Sequence, residues 1–375
     1  MILNETTQQI RDMARDFAQE RLVPGAGMRD REKRFPFQEL KQLGALGFMG
    51  MLVPEAYGGI ETGLVPYAVA LEEIAAADAS CSTIMSVHSS VGCVPIVKYG
   101  NEAQKQKYLP KMASGEWVGG FALTEPQAGS DASNLLTHAR REGEYYIING
   151  AKQFITSGKN GHIIIVFAVT AREKGKNGIS AFIVSTDSEG YHVVRVEEKL
   201  GLHASDTCQL AFTDMKISAE NLLGEEGEGY KIALSNLEGG RIGIAAQAVG
   251  MARAAFELAR DYAKQRRAFG KFLVEHQSLA FMLADMKMEI EVARQMVLHA
   301  ALLRDAGHSC LVEASMAKLY SSEMAEKVCS NALQIHGGYG YLNDFPLERI
   351  YRDARINRIY EGTSEIQRLV IARDL

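Results

Sequence analysis

The sequence predicts an α+β multidomain chain in three parts: an N-terminal helical domain over residues 1–114, a middle β-sandwich or barrel domain over 115–226, and a C-terminal antiparallel four-helix bundle over 227–375. Three observations carry this. Apolar residues recur at helical spacing up to about Ser114. Near Glu116 the period changes to the alternation of half-buried strands, in short runs rich in β-branched and aromatic residues. Beyond Gly229, Leu279, Leu283, Met286, Ile290, Ala293, Val297 and Ala300 step by fours and threes, the seam of a helix bundle.

Taken in order, Asn4 or Thr6 can cap a helix carrying Ile10, Met13, Phe17 and Leu22, which Pro24 and Gly25 are expected to end. Tyr67–Ala77 and Cys81–Lys98 read as apolar helices, and the lone His88 reads as core packing rather than as a ligand. Strands are expected over Trp117–Thr124, Tyr145–Ile148, His162–Val169, Ile179–Val184, Tyr191–Val196 and Gln209–Ile217. Turns are expected at Glu142-Gly143-Glu144 and Asn149-Gly150. Strands at this spacing without helices between them favour a sandwich or barrel over a parallel dinucleotide-binding sheet. A second long helix is expected over Leu311–Gln334, so that the bundle carries the segment around Glu361 near its end.

A hydrophobic share of 47% and a charged share of 23% belong to a folded globular protein and exclude disorder. The net charge of -5 lacks the basic excess of a general nucleic-acid or membrane-surface binder, so an anionic ligand must be held by a few placed arginines. Cys81, Cys93, Cys208, Cys310 and Cys329 are scattered, with no CxxC pair and no His at zinc spacing; they read as buried thiols in a reducing compartment, and no metal is expected. The start has no basic region followed by an apolar run, and no later run is expected to span a bilayer. A cytoplasmic protein is expected, or a matrix enzyme if a transit peptide has been removed.

Four stretches can carry chemistry. Tyr360-Glu361-Gly362-Thr363-Ser364-Glu365-Ile366-Gln367 puts a carboxylate on a turn before a helix, with Ser364 and Gln367 at capping-box spacing. Such a Glu is either a solvated N-terminal charge that favours the helix dipole or a base presented to a ligand lying against Gly362, and the stretch alone leaves both open. The run Phe121-Ala122-Leu123-Thr124-Glu125-Pro126-Gln127-Ala128-Gly129-Ser130-Asp131 is either a plain loop or a cradle of small residues and hydroxyls for a pyrophosphate or flavin edge. Phe154-Ile155-Thr156-Ser157 sets an aromatic and a hydroxyl on one strand face, suited to a flat ring. Gln334-Ile335-His336-Gly337-Gly338-Tyr339-Gly340 contains G-G-x-G but follows a helix, so it is no Rossmann fingerprint; Arg266-Arg267-Ala268-Phe269-Gly270 is a further loop.

In combination, FALTEPQAGSD, QIHGGYG and IYEGTSEIQRLVIAR resemble the acyl-CoA dehydrogenases, flavoenzymes of the β-oxidation type, over essentially the whole chain. The resemblance implies the helical, β, helical architecture, FAD as cofactor, an acyl-CoA substrate, a homotetramer built as a dimer of dimers, and an electron-transferring flavoprotein as acceptor. It implies that Glu361 removes the thioester α-proton, with the thioester oxygen held by the Glu361 N–H and a ribityl hydroxyl, while the β-hydride passes to flavin N5. Phe121, Leu123, Thr124, Gly129 and Ser130 match the flavin-lining segment, with Ser130 also serving substrate. Phe154, Ile155 and Thr156 match the ring-packing strand. Arg266, Phe269, Gln277, Gln334, Ile335, Gly337 and Gly338 resemble residues that hold the diphosphate and adenine, partly across a subunit interface, and Thr363 and Glu365 complete that site. Glu238, Arg241, Tyr360, Gly362 and Arg373 resemble acyl-CoA contacts. The chain departs from many members in carrying Phe154 for Trp and Ala268 for Thr. Gly240 stands where some long-chain and isovaleryl-type members place their base, leaving Glu361. The run 237–244 points to short-chain or short branched-chain members; an acyl-CoA oxidase or a non-dehydrogenating flavoprotein on the same fold are the competing readings.

Overall fold

The computed structural model describes residues 2–375. Asn4 caps the first helix, α1 (Glu5–Phe17), its side chain accepting the Thr7 N–H at 2.8 Å. Pro24 and Gly25 do not end it. A π turn over Ala18–Leu22 shifts the hydrogen-bond register and leads into α2 (Val23–Glu32), so Pro24 stands in a first turn, where its missing N–H interrupts least. The chain leaves α2 only at Lys33, which takes the left-handed conformation. There follow α3 (Phe37–Ala45), α4 (Leu64–Ala77), α5 (Ala79–Val87), α6 (Val94–Tyr99) and α7 (Glu102–Ala113). A second π turn, His88–Cys93, joins α5 to α6 just ahead of Pro95, so the expected Cys81–Lys98 helix is one helical run. His88 is buried within it and accepts the Gly119 N–H on Nδ1 at 2.9 Å; burial pushes its pKa down to about 4, in keeping with the packing role expected of it.

Eight strands follow: β1 (Gly119–Ala122), β2 (His138–Glu142), β3 (Tyr145–Thr156), β4 (Ile163–Val169), β5 (Ile179–Ser185), β6 (Tyr191–Val196), β7 (Thr207–Ser218) and β8 (Leu222–Leu223). They are ordered β6-β7-β3-β2-β4-β5-β8, with β1 parallel on β4. Strand β2 pairs along its length with β3 but meets β4 only at His138–Val169, so the sheet folds there into two leaves. Tyr146, Ile148, Leu210 and Met215 of one leaf share a core with Ile164, Val166, Phe182 and Val184 of the other, a sandwich interior. The opposite face of β4, Ile163, Ile165 and Phe167, packs with Ile96, Leu109, Met112 and Ile232 of the helices. Asn149-Gly150 is not a turn: both lie inside the twelve-residue β3, at a bulge where a Cβ on Gly150 would fall 2.5 Å from Thr137 Oγ1.

The remaining elements are α8 (Gly229–Gln265), the short ribbon β9 (Arg267–Ala268) and β10 (Lys271–Phe272), α9 (Gln277–Asp305), α10 (Leu311–His336), α11 (Leu347–Ala354) and α12 (Ser364–Ala372). The α9 seam is buried from Leu283 to Ala300 as the spacing requires. Helix α4 belongs to the same core: Tyr67, Leu71 and Ile74 cluster with Ile242 and Val249 of α8 and with Ile290 and Val297 of α9. Glu72 of α4 reinforces that joint, with Arg294 Nη2 at 2.8 Å and Arg253 Nε at 3.1 Å. Contrary to expectation, two helical runs among the described residues, Ala79–Tyr99 and Gly229–Gln265, are long and apolar enough to cross a bilayer; most of each is buried inside the fold. All five cysteines are buried free thiols.

Candidate active site

Glu361 ends a short descent from α11 and takes φ 51°, the left-handed region a non-glycine residue rarely occupies, and Gly362 follows at φ 96°. The helix after it starts differently from the expected capping box. Thr363 is the cap, its side chain accepting the Ile366 N–H, and Ser364 is already helical. Gln367 reaches backward, donating Nε2 to the Gly362 carbonyl at 2.9 Å and to the Glu361 carbonyl at 3.3 Å. Lys318 of α10 donates Nζ to the same Gly362 carbonyl at 2.6 Å. The strained turn is thus held by hydrogen bonds to its backbone, none of which touches the carboxylate.

Although Glu361 as a residue is half-buried, both its carboxyl oxygens are closed off and have no hydrogen-bond partner. The carboxyl lies on α8 where that helix has no side chain: a Cβ on Gly240 would fall 2.0 Å from Oε2. Burial pushes the Glu361 pKa up to about 7, against the opposing pull of Lys318 and Arg241. Those two cations are themselves buried, and burial holds both below their usual range, Lys318 at about 8. Arg241 donates Nη1 to Ser315 Oγ at 3.1 Å and leaves its Nε unpartnered. The site is a desolvated carboxylate facing net positive charge, an arrangement suited to taking a proton and stabilising the anion left behind.

The other substrate candidates divide. Glu238 is engaged by the start of α10, accepting from Cys310 N at 2.9 Å and pairing with Arg304 at 3.3 Å. Tyr360 turns its hydroxyl to Gln247 Oε1 and Asn357 Oδ1, both at 3.1 Å. Arg373 is exposed at the end of α12.

In the β domain, Phe121 packs its ring on Phe167 with centroids 4.7 Å apart, Leu123 is buried, and Gly129 and Ser130 are exposed in the following loop, with open space around Gly129. Thr124 is tied to the next segment, its carbonyl accepting the Gln153 N–H at 2.9 Å. A second bulge in β3, between Lys152 and Ile155, puts Phe154 at φ 60° and leaves it 64% exposed, while Ile155 turns into the sandwich and Thr156 stays half-buried. Ser157, buried, has an unpartnered Oγ. The sequence reading assigned no role to Lys152 or Glu125, yet they form a fully buried ion pair of 2.8 Å beneath these segments. Nor did it single out Lys318. No signal in the sequence marks either lysine: Lys152 lies past the end of the expected strand Tyr145–Ile148, and Lys318 is one charged residue on a long helix.

In the C-terminal helices a cleft of about 520 Å³ is lined by Tyr262, Arg266, Leu273, Ile335, His336, Gly337, Gly338, Tyr339 and Leu342. Open space surrounds Gly337 and Gly338, and the Arg266 guanidinium lies 5.9 Å from the Tyr339 ring centroid. Gln277 and Gln334 are exposed, Phe269 stands 98% exposed on the ribbon, and Thr363 and Glu365 begin α12. Arginine beside bare backbone suits a diphosphate, and exposed aromatics with a waiting hydroxyl suit a ring, so these residues fit the two ends of a flavin dinucleotide.

The chain matches the acyl-CoA dehydrogenase N-terminal domain over residues 4–116, the middle domain over 120–215 and the C-terminal domain over 227–375. It belongs to the acyl-CoA dehydrogenase family. It is 46% identical to the short-chain specific acyl-CoA dehydrogenase of Clostridium acetobutylicum, covering 99% of both chains. Its structure superposes on butyryl-CoA dehydrogenase of Megasphaera elsdenii with a TM-score of 0.97 at 43% identity, covering 100% of this chain and 99% of that one. A chain of the solved structure described as the electron transferring flavoprotein of Acidaminococcus fermentans superposes with a TM-score of 0.98 at 44% identity, covering 100% and 98%. The protein is an FAD-dependent oxidoreductase that dehydrogenates acyl-CoA.

Proposed function

We propose that this acyl-CoA dehydrogenase takes short-chain acyl-CoA thioesters to trans-2-enoyl-CoA, with Glu361 as the base. The observation that carries this is the carboxyl of Glu361, buried, partnerless and seated on Gly240. A glutamate of ordinary pKa, about 4.3, is a poor base for an α-carbon; one pushed up to about 7 is better matched. Lys318 and Gln367 hold the Gly362 carbonyl and so keep the Glu361 turn, and its N–H, in place for a thioester oxygen. FAD, when bound, supplies the acceptor for the β-hydride. In this reading Phe121, Leu123, Thr124, Gly129, Ser130 and Phe154–Thr156 receive its ring, and the Arg266 cleft receives a diphosphate and adenine, from a neighbouring subunit of a homotetramer.

The short-chain preference is supported by the likeness to short-chain-specific and butyryl proteins. Electrons are proposed to leave to an electron-transferring flavoprotein in the cytoplasm. A screen of straight and branched acyl-CoAs from C4 to C12, by anaerobic flavin bleaching and then by reoxidation with that acceptor or with oxygen, tests the reading. Butyryl-CoA is expected among the best substrates, with slow reoxidation by oxygen. Higher efficiency with dodecanoyl-CoA would refute the chain-length reading, and rapid reoxidation by oxygen would make the protein an oxidase.

A further inference from the structure

We propose that the buried Lys152–Glu125 pair is the positioning centre of the flavin-ring platform, setting the 123–137 loop against the end of β3. The proposal rests on the reading of those two segments as the ring site. Lys152 sits on β3 directly before the bulge that turns Phe154 outward. Its Nζ donates to the Leu123 carbonyl at 3.1 Å and to Glu125 Oε1 at 2.8 Å, so one cation holds the beginning of the loop. Glu125 then gathers the loop's far end, accepting from Leu136 N at 2.6 Å and Thr137 N at 3.1 Å, and within the loop from Gln127 Nε2 at 2.8 Å. Thr137 closes the circuit onto β3 by donating Oγ1 to the Ala151 carbonyl at 3.2 Å. Both side chains are buried, and Lys152 is the charged group that faces Glu125; its other partners are the two backbone N–H groups and the Gln127 amide.

A buried ion pair is rarely the most stable way to fill such a space, because desolvating both charges offsets most of their attraction. Removing one partner alone, in contrast, leaves a buried charge uncompensated. A pair linked to both ends of a loop and to the adjoining strand therefore fixes one geometry, here the spacing between Thr124–Ser130 and Phe154–Thr156. Both residues are positioning residues, acting through the backbone segments they hold.

The test compares holoenzymes of the native chain, Glu125→Gln, Lys152→Met and the double variant, reading FAD release on dilution and the visible flavin spectrum, with circular dichroism and size as controls. Glu125→Gln, which keeps shape and loses charge, is expected to weaken FAD retention about tenfold and alter the flavin bands with the fold intact. Lys152→Met is expected to lose about a hundredfold at pH 8 and less at pH 6, because protonation of Glu125 removes the unpaired charge as pH falls. Adding Glu125→Gln to Lys152→Met should restore part of the loss. Retention within twofold of native in Glu125→Gln overturns the proposal, and that variant decides alone if Lys152→Met does not fold. So does a Lys152→Met defect that is independent of pH and unrelieved in the double variant. A native chain that takes up no FAD would instead overturn the flavin reading on which the proposal rests.

Discussion

Glu125 and Glu361 both bury their carboxyl groups, and the surroundings of the two are opposite. The Glu125 carboxylate receives a lysine, two backbone N–H groups and an amide, and the ionised form is favoured so that its pKa falls below the usual range despite burial. Glu361 receives nothing on either oxygen, and its cations stand back on other hydrogen bonds. Burial therefore dominates and lifts it to about 7. The contrast teaches that burial alone does not mark a reactive group. A carboxylate that is fully paired holds a structure, whereas one whose backbone is held and whose oxygens are left free is available for chemistry.

The largest effect is expected in Glu361→Gln, which keeps shape and removes the proposed proton acceptor: turnover with butyryl-CoA should fall about 10⁴-fold or more, the upper end of what a positioned base contributes, because among the described residues the charges acting on Glu361 are those of Lys318 and Arg241 and no second carboxylate. FAD should remain bound. Next, Gly240→Ala puts a methyl 2.0 Å from Oε2 and must displace the carboxyl from its seat. A loss of about 10²-fold in kcat is expected with modest change in KM, since small misplacement of a reacting group is costly; unchanged kcat would show that the seat is irrelevant. Arg266→Ala should weaken FAD binding about tenfold through loss of a charge-assisted contact while leaving the helices folded, measured by equilibrium titration. The smallest effect concerns stability. The raised pKa of Glu361 means that its ionisation opposes folding: the penalty is absent below about 4.5, grows as pH rises toward 7, and is complete above it, reaching about 3 kcal/mol. Glu361→Gln should thus raise Tm by about 2–4 °C at pH 8 and by nothing at pH 4.5, in thermal scans of the two proteins.

Much of the fold was legible because it is written in local periodicity. The α9 seam and the strands β4 to β7 follow from it directly. Pro24 misled because a π turn, a feature without a sequence signature, lets the helix pass it. Asn149-Gly150 carries the usual hairpin signal, yet the glycine is there for the close approach of Thr137. Strand β2, His138-Ala139-Arg140-Arg141-Glu142, was missed because most of it faces solvent and it lacks apolar alternation. In the site, the motifs single out Glu361 and the candidate flavin segments, whose roles are those proposed above. What they could not convey was environment. Gly240 is far from Glu361 in sequence and meets it only through the packing of α8, and Lys152 and Lys318 look like any surface lysine until their burial is seen.

The most direct test of the contrast is the pH dependence of anaerobic flavin bleaching in the native enzyme at low butyryl-CoA, which reports ionisation of the free protein's base. The rate should rise as pH increases through about 7 and then level off, since Glu361 as the proposed base must lose its proton to act and its unpartnered carboxyl holds that proton unusually long. A rate that stays flat from pH 8 down to 5 would show a carboxylate as well satisfied as Glu125, and would contradict the account.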